Sequence, residues 1–425
     1  MKRLVEILNK SNLADYQIVQ KETVSHQAFF IKQQLDQHRI SSVTHTKLTI
    51  YVDSQDKSKR GSATKEIYPN ETDEEIRKDI ESMKFDASLA MNKYYPLVED
   101  QHYFEEKEDF DLVKSLENVV KAVQSIEDTE TEKINSYEIF VDEERYHIYN
   151  SKDVDVTFNK TSEMVEIVIN SLSKEHEVEV YHMIEAGADQ TSEAIREEIL
   201  EVFKKASDRS KAVPAKKMSK AHVLISGSDL KEFFDYFRAK INAQMIYGGM
   251  SQNKVGDVIQ KGDDCDKITL KAVKEMNYSN TNLPYSLEGV KASNFTILDN
   301  GKYVNNVGSA RFAYYLGLND VKYASNFTVE PGSKSIEEMK KDPYLEIAQF
   351  SSFQVDTVTG DFGGEFRLAY YYDGNSVTPV TAGSVTINMN DVLDHIYLSK
   401  ESKQYNDCII PVAIELFDIE VAGQE

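Results

Sequence analysis

The chain has 425 residues and a mass of 48.5 kDa, more than one ordinary hydrophobic core accommodates, so two or three domains are expected. Its 49 Lys and Arg face 72 Asp and Glu, and the resulting net charge of −23 repels phosphate backbones and anionic lipid headgroups. Two cysteines, Cys265 and Cys408, exclude a disulfide framework, and no apolar run approaches the roughly 18 residues of a membrane span.

Direct nucleic-acid binding would need a basic patch. The two candidates, Lys57–Lys59–Arg60 and Lys216–Lys217–Lys220, are short and read as solvated turns or linker. The opening residues read as an amphipathic helix on Leu4, Ile7 and Leu8, not as a signal peptide, so a cytoplasmic location is expected.

Residues 15–52 alternate as strands, opening at Ile18–Val19, again at Ala28–Ile31 and again at Leu48–Val52. Thr72 and Glu75 then form a capping-box pattern before a helix with Ile76, Ile80, Met83 and Leu89 near one face. After an acidic stretch from Glu99 to Glu108, a second helix is predicted over 108–126 on Phe110, Val113, Leu116, Val120 and Val123. Five apolar segments from Tyr137 to His182 predict an antiparallel meander. A helix capped by Ser192 should follow, with Ile195, Ile199, Val202 and Ala206 inward.

The polar stretch Ala206–Ala221 contains Pro214 and predicts a linker at 211–221. It would separate an N-terminal α+β domain (1–210, with a further division near 95–135 as an option) from a C-terminal domain (222–425). Beyond it come a strand at His222–Ser226 and a helix over Asp229–Tyr247 with Leu230, Phe233, Phe234, Phe237 and Ile241 on one side. The rest is short β-segments with Gly and Asn turns. The fold class is α+β: antiparallel strands with flanking helices, then a β-rich sandwich or barrel-like domain with a few helices.

The chemistry-bearing residues make no self-contained site. Of nine histidines no pair is four or five apart; His176 and His182 stand closest, without a carboxylate placed to activate water. Gly262–Asp266 gathers acids around Cys265, but without the alternating oxygen spacing of a hard-cation loop, and nearby acids raise a thiol pKa. Asp361 and Glu365 offer an acid/base pair in a Gly-rich turn whose ordinary use is backbone geometry.

Taken in order, several stretches resemble the TldD/PmbA family, named both as modulators of DNA gyrase and as peptide-maturing metallopeptidases. The first is Ala14–Val24 with Gln34–Ser42, the strand at 48–52 and the helix Thr72–Ala90; the second is the turn Tyr149–Val156. The most specific is Phe353–Phe366, similar to the family's C-terminal pattern at Val358, Thr359, Gly360, Asp361 and Phe362. Asn294–Val304, Ala310–Leu318 and Val377–Met389 are similar to the runs around it.

The resemblance implies a helix carrying His-Glu-x-x-x-His in the zinc-bearing branch. Here Glu232 stands at the general base, while Lys231 and Tyr236 replace the ligand histidines. Two residues five apart lie about 140° apart around an ideal helix, and a protonated ammonium has no lone pair for zinc. The resemblance therefore implies the PmbA (TldE-like) branch, with no metal or cofactor in this chain and zinc only in a TldD-like partner. Thr359, Gly360, Asp361, Gly363 and Gly364 are the residues it implies for substrate contact. Partners expected on this reading are a TldD-like homologue, or a second copy of the chain, and an extended peptide; nucleic acid and membrane are not. Two other readings stand beside it: a metallopeptidase with zinc held by residues distant in sequence, and a non-enzymatic homodimer that binds peptide.

Overall fold

Strands far longer than the predicted segments build the first half of the molecule. In the computed structural model, which describes residues 1–424 apart from 108, 174, 175, 189 and 319, Asp15–Ile31 is one strand and Gln34–Asp53 another. The three segments expected over 15–52 are thus two. The polar stretch around Lys21 keeps antiparallel register with His45 on one side and Tyr146 on the other, so pairing runs through it unbroken.

The expected meander is likewise three strands, Glu132–Asn150, Val154–Leu172 and Glu177–Ala186, antiparallel throughout. Gln101–Phe104, inside the acidic stretch, pairs parallel with the start of Val154–Leu172. At the other side of the sheet Lys59–Glu66 pairs with residues 47–53.

Side-chain alternation gives this sheet two different faces. Tyr16, Ile18, Ala28 and Phe30 point to one face, and helices cover it at both ends. At one end lie Lys2–Asn9 and Asp73–Leu89, at the other Leu112–Gln124 and Ser192–Ser210. Leu4, Ile7 and Leu8 are buried as expected. The Thr72–Glu75 capping box is present, but Leu89 is 69 % exposed and Ala87 takes the inward place. In Leu112–Gln124, Val113 is exposed and Val119 is buried instead. Thr191, not Ser192, caps the next helix, accepting from the Ala194 amide at 3.2 Å. The opposite face receives Tyr285 from the second half of the chain, packed with Ile148, Val154, Val156 and Phe158.

Arg60, expected in a solvated turn, is 2 % exposed. Its guanidinium is pulled in by the Asp15 and Asp53 carboxylates at 2.6 and 2.7 Å, whereas Lys57 and Lys59 stay outside.

In the second half, Met218–Ser226 pairs with Tyr344–Phe350 on one side and Ala413–Ala422 on the other. Gly383–Asn388 and Asp361–Tyr372 continue the sheet, and Asp361–Tyr372 pairs back onto Tyr344–Phe350, which closes a five-strand barrel. Closure removes the unpaired edges that an open sheet leaves. The stretch expected to be a linker carries Val213–Pro214 and the start of Met218–Ser226, both paired with strands of the second half. A further six-stranded sheet lies beside the barrel, with Leu270–Val273 and Asn326–Val329 at its centre.

The helix predicted over 229–247 divides. Leu230–Lys240 packs Leu230, Phe233, Phe234 and Phe237, all 0 % exposed, into the barrel core. Asn242 then caps Ala243–Tyr247 by accepting from the Gln244 amide at 2.9 Å. Among the described residues no helix is long and apolar enough to cross a membrane.

Candidate functional site

The helix Leu230–Lys240 carries the three residues singled out for metal chemistry, and its phenylalanines fix its rotation. With Phe233, Phe234 and Phe237 inward, Lys231 and Tyr236 leave the helix in different directions.

Lys231 reaches the loop before strand Cys408–Pro411, where its Nζ lies 2.7 Å from Asp407. Burial works against its charge, but hydrogen bonding and attraction from Asp407 more than offset it, so the Lys231 pKa is raised. Cys408 next to this pair is 0 % exposed, and burial, followed by Asp407, pushes its thiol up to about 12. A thiol so far from ionisation at neutral pH is a poor nucleophile and ligand. Sequence reasoning missed Asp407 and Cys408 as neighbours of Lys231, because no local spacing links them.

Tyr236 packs the other way. It is 8 % exposed, meets the Phe237 ring edge-on at 5.3 Å, and burial followed by Asp356 raises its pKa. Glu232 is exposed between Asp229 and Asp235; partial burial first, then these two carboxylates, raises its pKa. Asp229 is also raised by burial and accepts from the Phe350 amide at 3.4 Å, and Asp235 accepts from Arg238 at 2.7 Å.

These side chains do not fit a zinc ion between positions 231 and 236. A paired ammonium offers no lone pair, and a buried phenol with a raised pKa points elsewhere. Among the described residues no three His, Cys, Asp or Glu side chains gather as metal ligands. His182 is hydrogen-bonded to Glu198 at 2.9 Å, and His222 to Glu415 at 2.9 Å. Cys265 has a raised pKa, with burial as the main cause and Asp394 and Asp266 adding to it.

The fold brings the Thr359–Gly364 segment to the Tyr236 side of the helix. A Cβ on Gly360 would stand 3.2 Å from the Tyr236 hydroxyl, and Lys240 Nζ donates to the Val358 carbonyl at 3.4 Å. Inside the loop, Asp356 accepts from the Val358 and Thr359 amides at 2.7 and 2.9 Å. The Thr359 hydroxyl donates to Asp361 at 2.9 Å, and the Asn388 amide donates to Asp361 at 2.8 Å. Gly363 and Gly364 lie where backbones nearly touch: a Cβ would sit 2.2 Å from the Val385 carbonyl oxygen and 2.3 Å from that of Ser352. Their φ values, +133° and +156°, are also ones that L side chains rarely adopt. Asp361 and Glu365 share a face of one strand, but four residues of strand separate them by about 13 Å. That is too far for two carboxyls flanking one scissile bond.

Residues 218–423 match the family model described as PmbA/TldA metallopeptidase C-terminal domain. The C-terminal part of the chain is a domain of the TldD/PmbA family.

Three solved structures share its fold over nearly their whole length. TldE from Thermococcus kodakarensis is 17 % identical with a TM-score of 0.78, covering 100 % of both chains. A Thermotoga maritima protein whose name proposes it as a modulator of a DNA gyrase is 17 % identical with a TM-score of 0.78, covering 99 % of both. A Bacteroides thetaiotaomicron protein named in the same way is 14 % identical with a TM-score of 0.80, covering 99 % of this chain and 98 % of the other. A comparison with curated protein sequences gives no match.

Proposed function

We propose that this chain is a TldE-like subunit of a metallopeptidase system that cleaves or matures peptides in the cytoplasm. It works beside a zinc-bearing TldD-like homologue and holds no catalytic zinc itself. The observation that carries this reading is the Lys231–Asp407 ion pair, with Tyr236 turned toward Gly360 on the other side of the helix. Where two imidazoles would have to converge, the chain offers a neutralised ammonium and a buried phenol. Glu232, left without a metal-bound water to activate, becomes an exposed carboxylate among other acids.

The subunit's part would be to bind and present an extended peptide. The outer edge of Gln34–Asp53 supports this, since Lys59–Glu66 pairs with residues 47–53 and, among the described residues, the exposed ones before them have no strand neighbour on that side. Main-chain pairing on such an edge captures peptide with little sequence demand. The name "modulator of DNA gyrase" need not mean DNA contact, given a net charge of −23.

The test is metal content and peptidase activity of the purified chain, alone and mixed with a His-Glu-x-x-x-His homologue. Alone it should carry no stoichiometric zinc and cleave no unfolded protein; activity should appear with the homologue, and the two should co-purify. The K231H/Y236H variant should gain no zinc, because ligand orientation also depends on the groups behind the ligands. Stoichiometric zinc on the isolated wild-type chain, lost on Glu232→Gln, would overturn the reading.

A further inference from the structure

The strongest unexplained group in the molecule lies in the N-terminal sheet, away from the barrel helix. A cleft of about 640 Å³ opens there, lined by Asp15, Asp53, Lys57, Arg60, Lys84 and Lys152, with Tyr94 as a wall. Four cations thus face two carboxylates on a chain whose net charge is −23. Low-dielectric walls lined by one sign of charge focus the field and draw in the opposite sign.

Arg60 is the anchor. It is 2 % exposed; its Nε and Nη2 donate to Asp53 at 2.7 and 3.0 Å, and Nη2 also donates to Asp15 at 2.6 Å. The Tyr94 ring stacks 4.5 Å from the guanidinium carbon. Nη1 is buried and, among the described residues, has no hydrogen-bond partner. A guanidinium nitrogen of this kind carries two charged N–H donors, and buried donors are nearly always satisfied. What is missing is an acceptor oxygen.

The rim supplies more donors. Lys57, at φ +57° in its turn, has no ion pair among the described residues. Lys152 Nζ sits 2.9 Å from Asp15, and Lys84 Nζ donates to the Ser11 carbonyl at 2.6 Å and is paired with Glu81 at 2.6 Å, which leaves Lys57, Arg60 and Lys152 facing Asp15 and Asp53.

We propose that this cleft binds a small molecule through an oxyanion, a phosphate or carboxylate group, with Arg60 as the buried anchor and Lys57 and Lys152 at the rim. The oxyanion supplies the acceptor that Arg60 Nη1 lacks and balances the cations in excess over Asp15 and Asp53. This site is independent of the barrel helix and needs neither zinc nor a partner, so its failure would leave the subunit assignment standing.

The experiment is calorimetric titration of the full chain at low ionic strength with inorganic phosphate and, separately, with succinate, using chloride as the control anion. Saturable binding of phosphate alone assigns a phosphate-bearing ligand, and of succinate alone a carboxylate. In either case Lys57→Glu, an exposed change, should weaken binding about tenfold or more without altering thermal stability. Arg60→Lys, where it folds, should weaken it further by removing the planar fork. No saturable uptake of either anion, or equal binding by Lys57→Glu, would overturn the proposal and leave Arg60 Nη1 to a buried water.

Discussion

Two cations are drawn into this molecule, and they are held differently. Arg60 spreads its donors over two carboxylates on neighbouring strands and keeps one nitrogen unpartnered, at 2 % exposure. Lys231, with a third of its side chain in solvent, is matched by one carboxylate, Asp407, which ties the barrel helix to the strand after it. A planar guanidinium can brace a sheet and still offer a donor to a ligand; a point-charge ammonium matched one-to-one is spent. The difference separates a cation with a donor to spare from one whose charge is already matched.

The largest effect should come from removing the better-buried cation. Arg60→Ala takes the guanidinium from between Asp15 and Asp53 and leaves Asp15 with Lys152 alone, and a broken buried pair costs about 3–5 kcal/mol. Urea unfolding of the two proteins measures it; a loss below about 1 kcal/mol would mean that water replaces the guanidinium and the contrast with Lys231 is empty. Lys231→Ala should cost about 1–2 kcal/mol, because solvent already reaches that side chain while Asp407 is left poorly satisfied.

A third buried charge sharpens the comparison by reversing its sign. Glu415 is 3 % exposed and is held by His222 and Lys334. Burial alone would raise its pKa, but hydrogen bonds from His222 and Lys334 outweigh it and the pKa is lowered. A carboxylate with a depressed folded pKa contributes stability above its unfolded value and loses that contribution as pH falls through the folded one. Glu415→Gln should therefore destabilise the protein at neutral pH, by less than Arg60→Ala does. It should also flatten the stability loss on acidification below the ordinary glutamate range. Thermal midpoints of both proteins across that range check this, and parallel curves would count against it.

Local patterns were legible in the sequence, and pairings between distant residues were not. Helical spacing gave the inward face of Phe233, Phe234 and Phe237, and the antiparallel pairing of the N-terminal strands followed from alternation. Strand lengths were misjudged because alternation fades wherever both faces are wet, as around Lys21, although main-chain pairing continues there. Leu89 faces solvent because it lies about 200° around the helix from the buried Ala87. Arg60 looked like one charge in a basic turn; its burial depends on Asp15, which only the fold brings near. At the candidate site Lys231 and Tyr236 could be singled out in one dimension, but Asp407, which pairs with the lysine, lies far along the chain.

The smallest effect should appear where every charge stays in water. Thr72 accepts from the Glu75 amide at 3.3 Å, and the Glu75 carboxylate accepts from the Thr72 amide at 2.7 Å, all on the exposed start of helix Asp73–Leu89. Hydrogen bonds from the Thr72 backbone and hydroxyl hold the Glu75 pKa below its usual value. Thr72→Ala removes the hydroxyl but leaves the Thr72 amide in place, so Glu75 should move only part of the way back. NMR titration of the Glu75 side chain reads that shift directly. The lost cap should cost about 1 kcal/mol of stability. A cost rivalling that of Arg60→Ala would mean that burial is not what sets the worth of a charge in this protein.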